Sequence, residues 1–221
     1  MAVDELHNFL IGDISGYSAL TEKSGDHAAA EVAIGFAREL TRMTTEHGAQ
    51  IVKHVGDEVI VHTTCAAQTV ELGLRLRGAG GPGRALPLAH VGIHTGSAVR
   101  REGDRWGETV NVASRVADVA EPGQLLITEV TRVVIGACRA RLTALGPIRF
   151  RNISAPVSVS AADCDDRIDS PAGPGHARPR SLRGWGTGDR LFALKWARRR
   201  GTPCRAEASR FPTGGARVAP P

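Results

Sequence analysis

Two aspartates and one Asn/Arg pair have the types and placement to do chemistry. Asp13 ends the apolar run HNFLIGD, directly before the polar turn of Ser15 and Gly16. A carboxylate is costly to bury there without a partner, so it serves as a helix cap, an ion-pair partner or a ligand. Asp57 follows Gly56 in KHVGDEVIV, at the turn of a hairpin. Aspartate is common in turns, so neither residue decides the matter alone. Two carboxylates on neighbouring strand ends, however, form a hard-cation site. Magnesium takes oxygen ligands, usually one or two carboxylates with phosphate oxygens. The backbone amides of Ile14, Ser15, Gly16 and Tyr17, at the head of a helix, would point at such phosphates. Asn111 and Arg115, in DRWGETVNVASRV, stand four residues apart and share one helical face. An arginine and an amide placed so make a clamp for phosphate and ribose; taken alone, the same pair would be an exposed polar stripe.

The elements that must position these groups follow from periodicity. Residues 7–13 read as a buried strand, and SGDHAAAEVAIGFARELTRMTTEHG as one helix with Asp26 as N-cap and Gly48 just past its end. Residues 49–55 and 57–63 form a hairpin about Gly56. A second helix covers 66–77, with a loop at GAGGPGRALP. LAHVGIHTG is a strand that SAVRREG could pair with. Residues 107–119 are helical and stop at Glu121-Pro122-Gly123. QLLIT is a short strand, and Thr128 caps a helix to about Ala137. Strands near 141–151 and 156–162 close the domain. Strands interleaved with helices give an α/β (α+β) layer design, a mixed sheet with helices packed on it.

Composition divides the chain. Residues 165–221 hold 12 of the 28 Lys+Arg and 5 of the 23 Asp+Glu, net +7, which leaves −2 for residues 1–164. The basic balance therefore says nothing about the folded part, and no specific nucleic-acid partner follows from it. The tail is rich in Arg, Gly and Pro without sustained periodicity, and its composition predicts disorder. Its segment RLFALKWARRR offers a second reading, weak contact with an anionic membrane or nucleic acid through Trp196 and the arginines. A third reading is a frameshifted tail, which an unbroken ancestral reading frame would contradict. No run of about 18 apolar residues is present, and the N-terminus lacks the basic stretch of a signal peptide. The four cysteines, Cys65, Cys138, Cys164 and Cys204, show no metal-ligand spacing. These features predict a cytoplasmic protein with reduced thiols, Cys65 and Cys138 lying in the core.

Taken together, NFLIGDISGYSAL, IVKHVGDEVIV, VGIHTGSAV and GDRWGETVNVASRV resemble the catalytic domain of the class III nucleotidyl cyclases, in order and at suitable distances. The resemblance covers about 8–163. It implies a mixed sheet derived from the ferredoxin-like arrangement and a catalytic domain over 1–164. It also implies that Asp13 and Asp57 hold two Mg²⁺ or Mn²⁺ ions per site, that Lys53 and Asp104 read the purine, and that Asn111 and Arg115 hold the ribose and the reacting phosphate. In the family the metal-binding aspartates come from one chain, and the residues for purine, ribose and reacting phosphate from the other, of a head-to-tail homodimer with shared active sites, so Asp57 and Lys53 of one chain serve different sites. The substrate it implies is ATP, the products cyclic AMP and pyrophosphate.

The residue types fit that assignment. Adenine presents an acceptor at N1 and a donor at the 6-amino group; lysine only donates and aspartate only accepts. Guanine reverses both. Departures from the family pattern fall on the phosphates. His90 stands where an arginine is frequent, and Arg151 followed by Asn152 stands where Lys-Gly is frequent. Arg151 keeps the charge but not the ammonium geometry. His94 reads as a packed strand residue, Trp106 as packing near the dimer face or purine pocket, and Glu58, next to Asp57, as pointing to the opposite sheet face. The alternative class is a silent cyclase-like module that binds nucleotide or a partner. Its mark would be loss of one or more of the six positions, and all six are present. With no sensor ahead of His7, the chain reads as a stand-alone catalytic domain or part of something larger.

Overall fold

A computed structural model describes residues 6–84, 86–101, 104–136, 138 and 140–164, without the side chains of 100, 101 and 104–106. The tail readings therefore lie outside the described residues. The elements run β1 (His7–Ile14), α1 (Tyr17–Ser24), α2 (Asp26–Glu46), β2 (Gln50–Val55), β3 (Glu58–Thr63), α3 (Ala66–Ala79), β4 (Ala89–Gly96), β5 (Val99–Arg101), β6 (Asp104–Trp106), α4 (Glu108–Asp118), β7 (Leu125–Thr128), α5 (Glu129–Val134), β8 (Ala140–Ile148) and β9 (Val157–Cys164). Seven strands form one sheet in the order β2-β3-β1-β4-β7-β9-β8. Every pairing in it is antiparallel except β4 with β7. The expected mixed sheet with packed helices is what forms.

The helices divide between the two faces. Phe36, Leu40 and Met43 of α2 and Val70, Leu72, Leu74 and Leu76 of α3 share one core with Leu10, Val61, Val91 and Ile93. On the other face α4 lays Ala113 and Ala117 against Phe9, Ile11 and Ile60, and Val112 and Val116 against Leu126 and Val159. Two glycines let α4 come this close. A Cβ on Gly92 would lie 2.3 Å from Ala117 N and 2.6 Å from Ala113 O, and one on Gly96 would lie 2.6 Å from Thr109 Oγ1.

Three local expectations need correction. The long helix forms as α2 but is preceded by a separate helix, α1, and the two meet at Gly25, whose φ of 83° and ψ of 163° end α1 and begin α2. Gly25 is thus the N-cap, and Asp26 is the first helical residue, where its charge suits the positive end of the helix. The segment after β4 does not pair with β4, both of whose edges are taken by β1 and β7; β5 instead pairs with β6 in a separate ribbon. Finally, α5 stops at Val134, short of Ala137, although Thr128 caps it as expected by accepting from Thr131 N. Cys65 is buried and Cys138 half-buried against the main core.

Candidate active site

Strand register brings the candidate groups to one end of the α4 face. Phe9 and Ile11 pack on that face, so Asp13, two residues further along β1, follows them. Its ladder partner on β4 is His90. His90 donates from Nδ1 to Ala120 O at 2.6 Å, which pins the loop after α4 over the end of β1. Across the sheet, Val55 pairs with Glu58 around Gly56, whose φ of 65° makes the hairpin turn and sets Asp57 at its edge.

Lys53 reaches this face by an irregularity. Ile51 pairs with Val61 but Lys53 pairs with Ile60, so β2 carries one extra residue, Val52. Ile51 stays with the α2/α3 core, while Val52 packs with Ile60 on the α4 side and Lys53 is its ladder partner. Bulges of this kind re-aim side chains beside functional sites. Glu58 corrects the sequence reading. Its carboxylate does not turn to the opposite face; it lies with Asp13 on the α4 side, where Ser114 Oγ donates to Oε2 at 3.5 Å.

Charge is concentrated here. Burial first, then the charge of Asp57 and a hydrogen bond between the two carboxyls, raise the Asp13 pKa from 3.8 to about 7, with Glu58 and Asp118 adding to it. Burial, and then Asp118, also push Glu58 up, against the opposing effects of Ser114 and Lys53. A half-buried carboxyl with a second carboxylate beside it suits a hard cation in place of a proton. Among the described residues no three His, Cys, Asp or Glu side chains are disposed to hold an ion. A pair completed by phosphate oxygens is the donor set that fits.

The turn between β1 and α1 supplies groups for those phosphates. Gly16, at φ 76°, caps α1 without a side-chain hydrogen bond, leaving the amides of its first turn to a ligand. The Ser15 amide is already committed to Leu88 O at 2.9 Å, so Ser15 can serve only through its hydroxyl. That hydroxyl oxygen is buried without a hydrogen-bond partner. The turn walls one side of a cleft of about 420 Å³ with Leu88 and Pro122.

The remaining candidates lie apart. Asn111 and Arg115 are on the outer side of α4, with Asn111 exposed and Arg115 Nη1 paired to Asp118 Oδ2 at 2.6 Å. Arg151 is exposed in the turn after β8. The backbone of Asp104 opens β6, but its side chain, like that of Trp106, lies outside the described residues. His94 behaves as a packed strand residue: Nδ1 bonds Thr128 Oγ1 at 2.8 Å, and burial lowers its pKa to about 4. Sequence reasoning missed Asp118, for which the only available signal was its i+3 spacing from Arg115.

A family model described as the adenylate and guanylate cyclase catalytic domain matches residues 8–158. The chain belongs to this family. Among curated relatives, an adenylate cyclase of Streptomyces griseus is 30% identical over 57% of this chain and 31% of its own length. A pH-sensitive adenylate cyclase of Mycobacterium tuberculosis is 32% identical over 66% of this chain and 37% of its own. The chain thus spans about a third of the length of these two relatives. The adenylyl cyclase CyaB of P. aeruginosa shares the fold with a TM-score of 0.61 at 24% identity, covering 77% of this chain and 97% of that one. A guanylate cyclase domain from Catenaria anguillulae, solved with GTP, superposes with a TM-score of 0.63 at 15% identity, over 73% and 97%. The cyclase fold therefore does not select the base. No described helix is long and apolar enough to cross a membrane.

A metal ion held by Asp13 would have to displace a proton. The Asp13 carboxyl is raised above its unfolded value, so in the metal-free chain its ionisation costs nothing below about pH 4 and progressively more up to about 7. That contribution makes the metal-free protein less stable as pH rises through this window. Mn²⁺ affinity is expected to rise by about tenfold per pH unit below 7 and to level off above it, with proton release on binding. Calorimetry in buffers of different ionisation enthalpy measures both; an affinity independent of pH from 5 to 7 would contradict the coupling.

Proposed function

We propose that this cyclase domain converts ATP to 3′,5′-cyclic AMP and pyrophosphate in a homodimer whose active sites are shared between chains. The observation that carries the reading is that Asp13, at the end of β1, and Asp57, at the edge of the neighbouring hairpin, stand together beside the uncapped head of α1. The choice of ATP rests on Lys53 and Asp104 and agrees with the names of the relatives. Mg²⁺ or Mn²⁺ held by Asp13 and Asp57, two ions per site as the resemblance implies, would lower the pKa of the ribose 3′-hydroxyl and neutralise charge on the leaving phosphates.

The chain's own groups do the rest. Lys53 donates to adenine N1 and Asp104 accepts from the 6-amino group. The α1 amides and the Ser15 hydroxyl take phosphate oxygens, and Arg151 adds a cation to them. Asn111 orients the ribose, so that the 3′-hydroxyl attacks the α-phosphorus in line and pyrophosphate departs opposite it. Arg115 stabilises the charge on the transferring group. No side-chain nucleophile and no covalent intermediate is required.

The test is purified chain with ATP and Mn²⁺ or Mg²⁺, following cyclic AMP. Formation of cyclic AMP supports the reading; ATP that binds and is never cyclised supports the silent module instead. Base choice has its own test. Exchanging donor and acceptor with Lys53→Glu and Asp104→Lys should lower the ATP/GTP ratio of kcat/KM by at least about a hundredfold, because mismatched buried groups stay unpaired. An unchanged ratio would remove these two residues from base recognition.

A further inference from the structure

Asp118 closes α4, and its position is unfavourable for its charge. A carboxylate at a helix C-terminus opposes the macrodipole, which favours cations there. This end of α4 lies over the ladder that carries Asp13: Ala117 rests on Gly92, which pairs with Ile11, and Ala120 O accepts from His90, which pairs with Asp13. The ion-pair partner of Asp118 is Arg115, at 2.6 Å with side chains 43% and 50% exposed. So exposed a pair returns little stability. A carboxylate at this helix end whose partner is an arginine one turn back points to a role that involves that arginine.

We propose that Asp118 is a positioning residue for Arg115, fixing the guanidinium on the surface of α4 in the orientation in which it meets the transferring phosphoryl group. This rests on the cyclase reading above. Asp118 engages Nη1, and the fork of an arginine keeps further N–H donors for phosphate oxygens. Ordering a long side chain beforehand removes an entropy cost from the step in which charge develops, so the effect falls on kcat rather than on KM.

The experiment compares the full chain with Asp118→Asn, Asp118→Glu, Arg115→Ala and the double variant Arg115→Ala/Asp118→Asn. It reads kcat and KM for ATP with Mn²⁺, and the Tm without ATP. Asp118→Asn is expected to lower kcat about tenfold at unchanged KM. Its Tm should rise by about 1 to 3 °C, since an unfavourable charge has gone. Asp118→Glu should recover most of the lost kcat. In the Arg115→Ala background Asp118→Asn should cost nothing further. Full kcat in Asp118→Asn, or the same loss with and without Arg115, overturns the positioning role alone. A wild-type chain that makes no cyclic AMP overturns the cyclase reading and this proposal with it.

Discussion

Asp57→Ala is expected to lower kcat for cyclic AMP formation by on the order of 10³ while leaving the protein folded and no less stable. The loss of activity follows from the donor set. Two carboxylates with substrate phosphates are enough for a hard cation, and one carboxylate on a strand end is a weak ligand. The retained stability follows from the electrostatics. Asp57 sits at the hairpin edge beside Gly56, and its charge is the second cause, after burial, of the raised Asp13 pKa. Removing it relieves repulsion at neutral pH. A pair of measurements separates the two effects: turnover with Mn²⁺, and thermal unfolding without metal at pH 8. Lost turnover with an equal or higher Tm is the expected result. A variant that unfolds more readily would mean that the Asp13–Asp57 contact is structural support.

Gly92→Val should be the most damaging single change to stability, at about 3 kcal/mol or more. A Cβ there meets backbone atoms of α4 at 2.3 and 2.6 Å, and backbone cannot swing aside as a side-chain tip can. The helix must lift from β4, disturbing the packing of Ala113 and Ala117 on Phe9 and Ile11. Asn111 and Arg115 ride on the same helix, so turnover per folded molecule should fall as well. Gly35 is the control. It lies within α2 with nothing within 4 Å of an added Cβ, so Gly35→Ala should be stabilising by about 0.5–1 kcal/mol. Urea midpoints for the two variants check the contrast, and a mild cost at Gly92 would mean that α4 is not seated on β4 as closely as described.

Much of this arrangement was legible in the sequence. The continuous apolar run in HNFLIGD and the Gly56 turn marked β1 and the β2–β3 hairpin, and with them the neighbouring positions of Asp13 and Asp57. What was not legible came from register and from packing partners. A strict two-residue period would set Lys53 on the same face as Ile51. The extra residue Val52 turns it over, and an apolar Val52 fits either face, so the pattern gives no warning. Glu58 was misplaced for a related reason. Asp57 belongs to the turn, so the strand alternation starts only at Glu58, and its face is set by the ladder with Val55. The cap of α2 at Gly25 is hidden because Asp26 is acceptable both as a cap and as a first helical residue. Asp118 matters only once α4 lies over the end of β1, which no local pattern states.

The central claim is that one chain supplies the carboxylates and another the Asn/Arg clamp. The most direct measurement mixes two strongly impaired full-length variants, Asp57→Ala and Arg115→Ala, each keeping only a small residual turnover, at equal concentration and follows cyclic AMP. In a mixed dimer one site carries both substitutions and the other carries neither. Half of the dimers are mixed at statistical exchange, so activity should return to about a quarter of the wild-type value per chain. Mixtures that stay as inactive as the separate variants, with exchange of subunits demonstrated, would contradict an active site built from two chains.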